Sequence, residues 1–451
     1  MRLLTSQIAL ATGGAVVGAD VIVDEFRHDS REVVGGEMFV PVRGVRDGHR
    51  FIGAALDAGA AAYLCSRSVV DDVAAMDGTG SSTAVVVDDP ELALTALAAW
   101  VRAERLPERV VGITGSVGKT SAKDLTAAAL GRRWLTSASL RSFNNELGVP
   151  LTVLNAPDGT EALVVEMGAR GIGHIASLAT YVQPTIGIVT AVELVHAEMM
   201  GGLDGIARAK SELVASLPSS GTAVLNGANP RVAAMAAVTG ARVLRFGVDA
   251  EPGLDLVADE LHLDDDLRPS FVLRTPWGSA PVRLAVRGAH QVGNALAAAG
   301  AALAADVSLD DVAAGLAEAE LSPWRMELGR TPSGARVIND AYNAGPASVE
   351  AAMRSLCHLR AARRIAVLGP MAELGDHEVE QHQRIATLAA ELGIAVIAVD
   401  AQHFGRGAGV VHVGDIDAAE QALGTLSEAD AVLVKGSRVA GLERLVHRLL
   451  G

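Results

Sequence analysis

The chain has 451 residues, half of them hydrophobic and a fifth charged, which suits two to four folded domains and excludes a disordered chain. Its formal net charge of -15 excludes nonspecific nucleic-acid binding but not a local nucleotide site. Aromatics are only 3%, so the 48 glycines and the many alanines and valines must do the packing, through tight turns and small-residue helix–sheet contacts, unless a biased genome sets the composition.

Residues 1–105 read as a small α/β unit. Short strands are predicted at Phe39–Val42, Ala61–Leu64 and Ala84–Val87, and a helix from Pro90 to Ala103 carries Leu92, Leu97 and Trp100 among small residues. Met1-Arg2-Leu3-Leu4 does not continue as a signal peptide, and no apolar run is long enough for a membrane span, so a cytoplasmic protein is expected. Cys65 and Cys357 lie far apart in apolar or small surroundings and read as reduced core thiols; there is no CxxC or metal spacing.

A second unit, 106–320, opens with a buried strand at Val110–Thr114, a glycine turn and a helix from Lys119 to Leu130. Strands at Leu163–Val165, Ile186–Val189 and Ala223–Leu225 alternate with helical patterns, the mark of a mostly parallel sheet. From 242 to 287 the rhythm changes to short β segments, Phe271–Arg274 and Val282–Val286, expected as an antiparallel extension. An alanine-rich helix follows from 290 to 305. The last unit, 321–451, has strands at Arg336–Ile338, Ile365–Leu368, Val396–Val399 and Ala431–Val434 with helices between. Its turn after Leu368 is Gly369-Pro370-Met371 and not GxGxxG, so no dinucleotide is predicted there by motif.

Gly112-Ile113-Thr114-Gly115-Ser116-Val117-Gly118-Lys119-Thr120 lies between a predicted strand and a predicted helix, where backbone N–H groups cradle phosphate. Lys119 would neutralise the β and γ phosphates of a nucleoside triphosphate, and the Thr120 hydroxyl would hold Mg2+. The ordinary pattern wants glycine where Ile113 stands; the alternative is a glycine turn with a solvated lysine. The chain has four lysines, Lys119, Lys123, Lys210 and Lys435, against 34 arginines, and a lysine retained in such company hints at work that arginine cannot do.

With the segments that follow it, this loop resembles the Mur ligase family, and within it the MurF type, over essentially the whole chain. Thr114-Gly115 followed by Gly118-Lys119-Thr120 has the family form, and Ile113 is then no anomaly. Asn144-Asn145-Glu146-Leu147-Gly148-Val149-Pro150-Leu151-Thr152 and Gly369-Pro370-Met371-Ala372-Glu373-Leu374-Gly375 are MurF-like. The resemblance implies an α/β, three-domain architecture: a small N-terminal α/β domain (1–105) for the UDP substrate, a central P-loop ATPase domain (106–320) with a mostly parallel sheet, and a C-terminal Rossmann-like α/β domain (321–451). It implies ATP-dependent joining of D-alanyl-D-alanine to UDP-N-acetylmuramoyl-tripeptide through an acyl phosphate, by a cytoplasmic enzyme with two Mg2+ ions; a monomer is expected, as nothing in the sequence demands an oligomer.

Residue by residue, the resemblance places Ser30 and Arg31 of Asp29-Ser30-Arg31 at the uridine end of the substrate. Asn144, Asn145 and Glu146 line the cleft near the acceptor and the γ-phosphate. Thr114, Gly115, Ser116, Val117, Gly118, Lys119 and Thr120 hold the nucleotide phosphates. Thr120, Glu166, His196 and Lys210 serve magnesium, Lys210 as a carbamate, since a plain ammonium would repel the metal. His290 and Asn294 lie on the adenine side, Arg325 reaches the γ-phosphate, Asp340 faces the nucleotide, and Asn343 and Lys435 sit at the dipeptide end. Departures from the family pattern fall at Ala197, Ala228, Trp324 (usually glycine), Gly345 (usually asparagine) and Pro370 (commonly aspartate). Taken alone, Asp29–Arg31 reads as a solvated turn, Asn144–Glu146 and Glu166 as helix-capping groups, Lys210 as a surface helix lysine, and the segment at 290–294 as a capped helix start. The competing functions are a sister ligase with another acceptor and a nucleotide-dependent switch that makes no covalent product. The third residue of the tripeptide is open between meso-diaminopimelate and lysine.

Overall fold

The computed structural model describes residues 1–44, 46–69, 82–140, 142–194, 200–249, 251–407 and 409–451. The chain divides into two compact units: Met1–Gly112 with Trp134–Gly168 and Ile175–Thr185, and Ile113–Arg133 with Ala169–His174 and Ile186–Gly451.

In the first unit a five-stranded sheet runs in the order Ala15–Val17, Thr83–Val87, Ala62–Ser66, Met38–Phe39, Phe26–Arg27, antiparallel at the first pair and parallel thereafter. The strand expected over Phe39–Val42 is thus Met38–Phe39. Phe26, Met38, Phe39 and Ile52 are fully buried and supply the bulk that the small residues lack. The helix Pro90–Arg105 starts where Asp89 accepts the N–H groups of Glu91 (2.8 Å) and Leu92 (3.2 Å), with Pro90 preset at the first helical position. Its Arg102 is buried and donates from Nε to the carbonyl of Val182 at 2.9 Å and from Nη2 to that of Gln183 at 3.2 Å, satisfying the carboxyl end of the helix His174–Val182. Asn155 takes the N–H of Phe26 at 2.8 Å and donates to its carbonyl at 3.1 Å, as a neighbouring strand would. The strand Ala162–Glu166 pairs in parallel with Thr136–Ala138.

The strand Val110–Thr114 carries the chain into the second unit. There Ile186–Val189, Thr222–Asn226 and Arg242–Gly247 lie parallel. They continue through Leu256–Leu263 into an antiparallel meander with Pro269–Thr275 and Gly278–Arg283. The meander's last strand begins at Gly278 and ends at Arg283, earlier than the apolar run 282–286 suggested, because the turn at Thr275–Gly278 sets the register. The helices Lys119–Leu130 and Gln291–Ala304 pack on each other. Small residues permit close approach around them: a Cβ on Gly315 of the helix Leu309–Glu318 would meet the carbonyl of Ala128 at 2.6 Å, and one on Gly300 would meet Val224 Cγ1 of the strand Thr222–Asn226 at 2.9 Å.

A six-stranded sheet completes the second unit in the order Glu327–Arg330, Arg336–Asn339, Asp430–Lys435, Arg363–Leu368, Ala395–Val399, Val410–Val413, antiparallel only at the first pair. Its entry is pinned by Asp124, which accepts the N–H of Ser322 at 2.7 Å and its hydroxyl at 3.2 Å while pairing with Lys123 at 2.8 Å. Among the described residues no helix is long and apolar enough to cross a membrane.

Candidate active site

In the second unit, chemistry gathers at the carboxyl ends of parallel strands, where ligands bind in open α/β sheets. After Thr114 the loop turns through Gly115 (φ 150°) and Gly118 (φ 84°) into the helix at Lys119. Neither glycine tolerates a side chain: a Cβ on Gly115 would collide with Thr190 Oγ1, and one on Gly118 with Asn294 Oδ1. Neighbouring strand ends brace the loop. Ser116 N–H donates to the Ala191 carbonyl at 2.8 Å, the Ser116 hydroxyl donates to the Glu193 carbonyl and accepts the Glu193 N–H, each at 2.9 Å, and the Thr190 hydroxyl donates to the Val117 carbonyl at 2.5 Å. Lys119 Nζ folds back onto the carbonyls of Gly115 (2.7 Å) and Ser116 (3.3 Å), which holds a cation over the cradle. Asn226 and Asn229 spend their amides on the carbonyls of Thr190 (2.8 Å) and Val192 (3.2 Å), so the loop around Ala228 supports the strand exit through backbone contacts.

Lys210 lies on the helix Gly202–Ala215 and is buried, with Ile206, Ala209, Leu213 and Val214 buried on the same helix. Burial first, and the Lys119 cation second, push its amine down from 10.5 to about 7. The reading of a surface helix lysine is therefore corrected. The spacing 206, 209, 210, 213 was the available signal, since it puts Lys210 on the apolar stripe. Asn294 and Gln291 are buried and bonded to each other at 2.8 Å, with Asn294 against Gly118. His290, one position earlier, is exposed and within electrostatic reach of Asp340 and Lys435.

Three segments of the second sheet converge. Asp340, just past Asn339, accepts Lys435 Nζ on Oδ2 at 2.5 Å and the Met326 N–H on Oδ1 at 3.2 Å. The buried Lys435 also donates to the Asn343 carbonyl at 2.9 Å. The loop after Leu368 is tied to the same place, by Gly369 N–H to the Lys435 carbonyl and Ala372 N–H to Ser437 Oγ, both at 2.9 Å. Arg325 stacks over the Tyr342 ring at 4.3 Å, between two residues of left-handed backbone, Trp324 (φ 63°) and Met326 (φ 53°). A position of that φ is what glycine tolerates best, which accounts for the glycine expected at 324; Trp324 keeps the conformation with its ring 4.2 Å from the Arg438 guanidinium.

Sequence reasoning missed the supporting residues Thr190, Glu193, Ser437 and His382: Thr190, Ser437 and His382 bond distant backbone groups through their side chains and Glu193 bonds Ser116 through its own backbone, contacts that leave no motif. Glu378, His382 and His403 bring ligand atoms within 4.8 Å of one another, as a metal site would. His382, however, accepts the Met371 N–H on Nε2 at 3.0 Å and donates from Nδ1 to the Glu378 carbonyl at 2.7 Å, so both ring nitrogens are used in holding the 369–375 loop.

The first unit holds the remaining expected residues. Glu166 is buried at the end of its strand and accepts the Asn144 amide at 2.7 Å, with its own N–H on Ser139 Oγ at 3.1 Å. Asn145 Oδ1 accepts the Gly148 N–H at 2.8 Å, opening the buried helix Gly148–Leu154, so this asparagine does serve a helix start. Glu146 is exposed in the same turn. Asp29 caps the short turn at Ser30–Glu32 and pairs with the exposed Arg31 at 2.6 Å; that bond holds its carboxyl at about 2. His196, with Ala197 and Glu198, lies outside the described residues.

Residues 113–302 match the Mur ligase middle domain, and 324–438 match the Mur ligase glutamate ligase domain. UDP-N-acetylmuramoyl-tripeptide–D-alanyl-D-alanine ligase of Mycobacterium tuberculosis is 40% identical over all of this chain and 98% of its own. The chain belongs to the MurF branch of the Mur ligases. The ligase of the same name from Escherichia coli is 35% identical over 98% of this chain and 97% of its own. Among solved structures, MurF from Acinetobacter baumannii superposes with a TM-score of 0.88 at 28% identity, covering 100% of this chain and 99% of that one. MurF ligase from Thermotoga maritima in complex with ADP gives 0.81 at 25% identity, over 95% and 97%.

Proposed function

We infer that this chain joins D-alanyl-D-alanine to UDP-N-acetylmuramoyl-tripeptide at the expense of ATP. The observation that carries the reading is full-length similarity to ligases of that name, in a chain whose phosphate loop, buried lysine and Asp340–Lys435 pair share one unit. The division of labour follows the family: 1–105 for the uridine end with Ser30 and Arg31, 106–320 for ATP, and 321–451 for the incoming dipeptide with Asn343 and Lys435.

The tripeptide carboxylate attacks the γ-phosphorus of ATP and ADP leaves, giving an acyl phosphate. The dipeptide amine then attacks the acyl carbon, phosphate departs with the bonding pair, and the amine's proton is lost to solvent or base. Two anions must meet in the first step, and Lys119 with Arg325 supplies the opposing charge. Asn294, packed on Gly118, holds the adenine side beside His290, and Asp340 faces the nucleotide. Asn144, Asn145 and Glu146 border the acceptor.

The resemblance assigns the cation to the Thr120 hydroxyl, the Glu166 carboxylate, His196 and, once Lys210 carries CO2, a carbamate, and the hydroxyl, carboxylate and carbamate oxygens are ligand types that a hard divalent cation takes. Magnesium bound there would screen phosphate charge. Carbamylation needs a neutral amine, and the depressed basicity of Lys210 supplies one near neutral pH. The test is phosphate release with ATP, Mg2+ and both substrates, each omitted in turn, with product mass. Release that requires both, giving a pentapeptide, is expected; folded protein that hydrolyses ATP without joining them would overturn the reading.

A further inference from the structure

A cavity of about 320 Å3 opens beside the phosphate loop, at the low end of small-molecule pockets. One wall is Val117, Glu193 and Leu194; the backbone of Glu193 is bolted to Ser116 by two hydrogen bonds of 2.9 Å. The opposite wall is Pro346, Ala347, Glu350 and Arg384. Pro346 opens the helix Pro346–His358, whose amino end favours negative charge. Arg384 is held from two sides, donating from Nη1 to Glu350 Oε2 at 2.9 Å and from Nε to Gln381 Oε1 at 3.0 Å. Those bonds use two of the five donors of a guanidinium and fix its plane. The cavity therefore has the Glu193 carboxylate on its phosphate-loop side and, on the other, Arg384 paired with Glu350, whose other oxygen is taken by Arg354 at 2.9 Å so that the cluster keeps a net positive charge, with Val117, Leu194 and Pro346 as apolar lining.

That polarity is the complement of a small zwitterion. We propose that this cavity receives the amine-bearing substrate, a short dipeptide of small side chains, with its ammonium toward Glu193 and its carboxylate on Arg384. The proposal rests on the ligase reading and deepens it. The direction follows from the chemistry, because the amine must meet an acyl phosphate formed at the phosphate loop, and Glu193 is the charged residue joined to that loop. The methyl groups lie against Val117, Leu194 and Pro346. Glu193 is also a carboxylate whose affinity for its proton is raised, by burial first and against the pull of Arg384 and Arg231, so a cation beside it relieves an unfavourable burial.

The discriminating experiment compares D-alanyl-D-alanine with D-alanyl-D-alaninamide, which keeps the ammonium and lacks the carboxylate, in steady-state ligation by the full chain. Wild type should prefer the free acid. In Arg384→Gln the KM for the free acid should rise about 10- to 100-fold, the scale of a lost charge-assisted contact, with KM for the amide and for ATP unchanged. Arg384→Lys should recover part of the preference. In Glu193→Gln both acceptors should weaken together, since both carry the ammonium. Equal effects of Arg384→Gln on acid and amide, or none, in a chain that otherwise ligates normally would overturn this proposal alone. A wild-type chain that joins no dipeptide would overturn the ligase reading with it.

Discussion

Replacing Lys210 by methionine should stabilise the protein while abolishing ligation. Methionine matches the lysine side chain as far as Cε, keeps its packing near Ile206, Ala209 and Leu213, and removes the charged amine. Burial lowers the lysine from 10.5 to about 7, which at about 1.4 kcal/mol per pH unit is about 5 kcal/mol of preference for the neutral amine. The sign follows from proton counts. Between those two values the unfolded chain carries the proton and the folded chain does not, so stability rises with pH; below about 7 both states are protonated and the full cost stands. The gain from Lys210→Met should thus be about 5 kcal/mol near pH 6 and about 2 kcal/mol near pH 9. Urea unfolding of both proteins in CO2-free buffer at the two pH values measures it, with bicarbonate added in a parallel series. Bicarbonate should stabilise the wild type and leave the variant unchanged. A gain that is absent, or the same at both pH values, would refute the claim that an uncompensated buried amine sits here. Retention of ligation by the variant would refute the carbamate.

Three further substitutions test the frame around the site. Gly118→Ala puts a side chain at φ 84° and against Asn294 Oδ1, so nucleotide affinity measured by calorimetry should fall at least about tenfold, in line with about 1–3 kcal/mol of strain. Asp340→Asn leaves the buried Lys435 without its anion and should cost about 3–5 kcal/mol in urea unfolding; a cost under about 1 kcal/mol would mean that the pair is not buried in solution. Arg102→Met removes two charge-assisted bonds to the end of the helix His174–Val182 and should cost about 2–3 kcal/mol, with faster amide exchange at Val182 and Gln183 as the local sign.

The parallel strands were legible because buried strands in α/β sheets are short apolar runs, and Ile186–Val189 falls where its composition puts it. The phosphate loop was legible because its strand, glycines and lysine are contiguous. The rest depends on contacts that sequence distance hides: Asn294 reaches Gly118, Lys435 reaches Asp340, and Ser437 fixes the loop after Leu368. Trp324 breaks a pattern without breaking the left-handed backbone that the pattern exists to allow. The most economical clue was compositional. Of the four lysines, Lys123, Lys210 and Lys435 are buried and Lys119 is turned into the phosphate cradle. None is an ordinary solvated surface lysine, a role this chain gives to arginine. An ammonium is compact, can sit against a single carboxylate as Lys435 does on Asp340, and can give up its proton when buried as Lys210 does; a guanidinium does neither as well. The scarcity of lysine therefore marks the positions where a small or titratable cation is required, and arginine at any of the four should fail for a reason that charge alone would not predict.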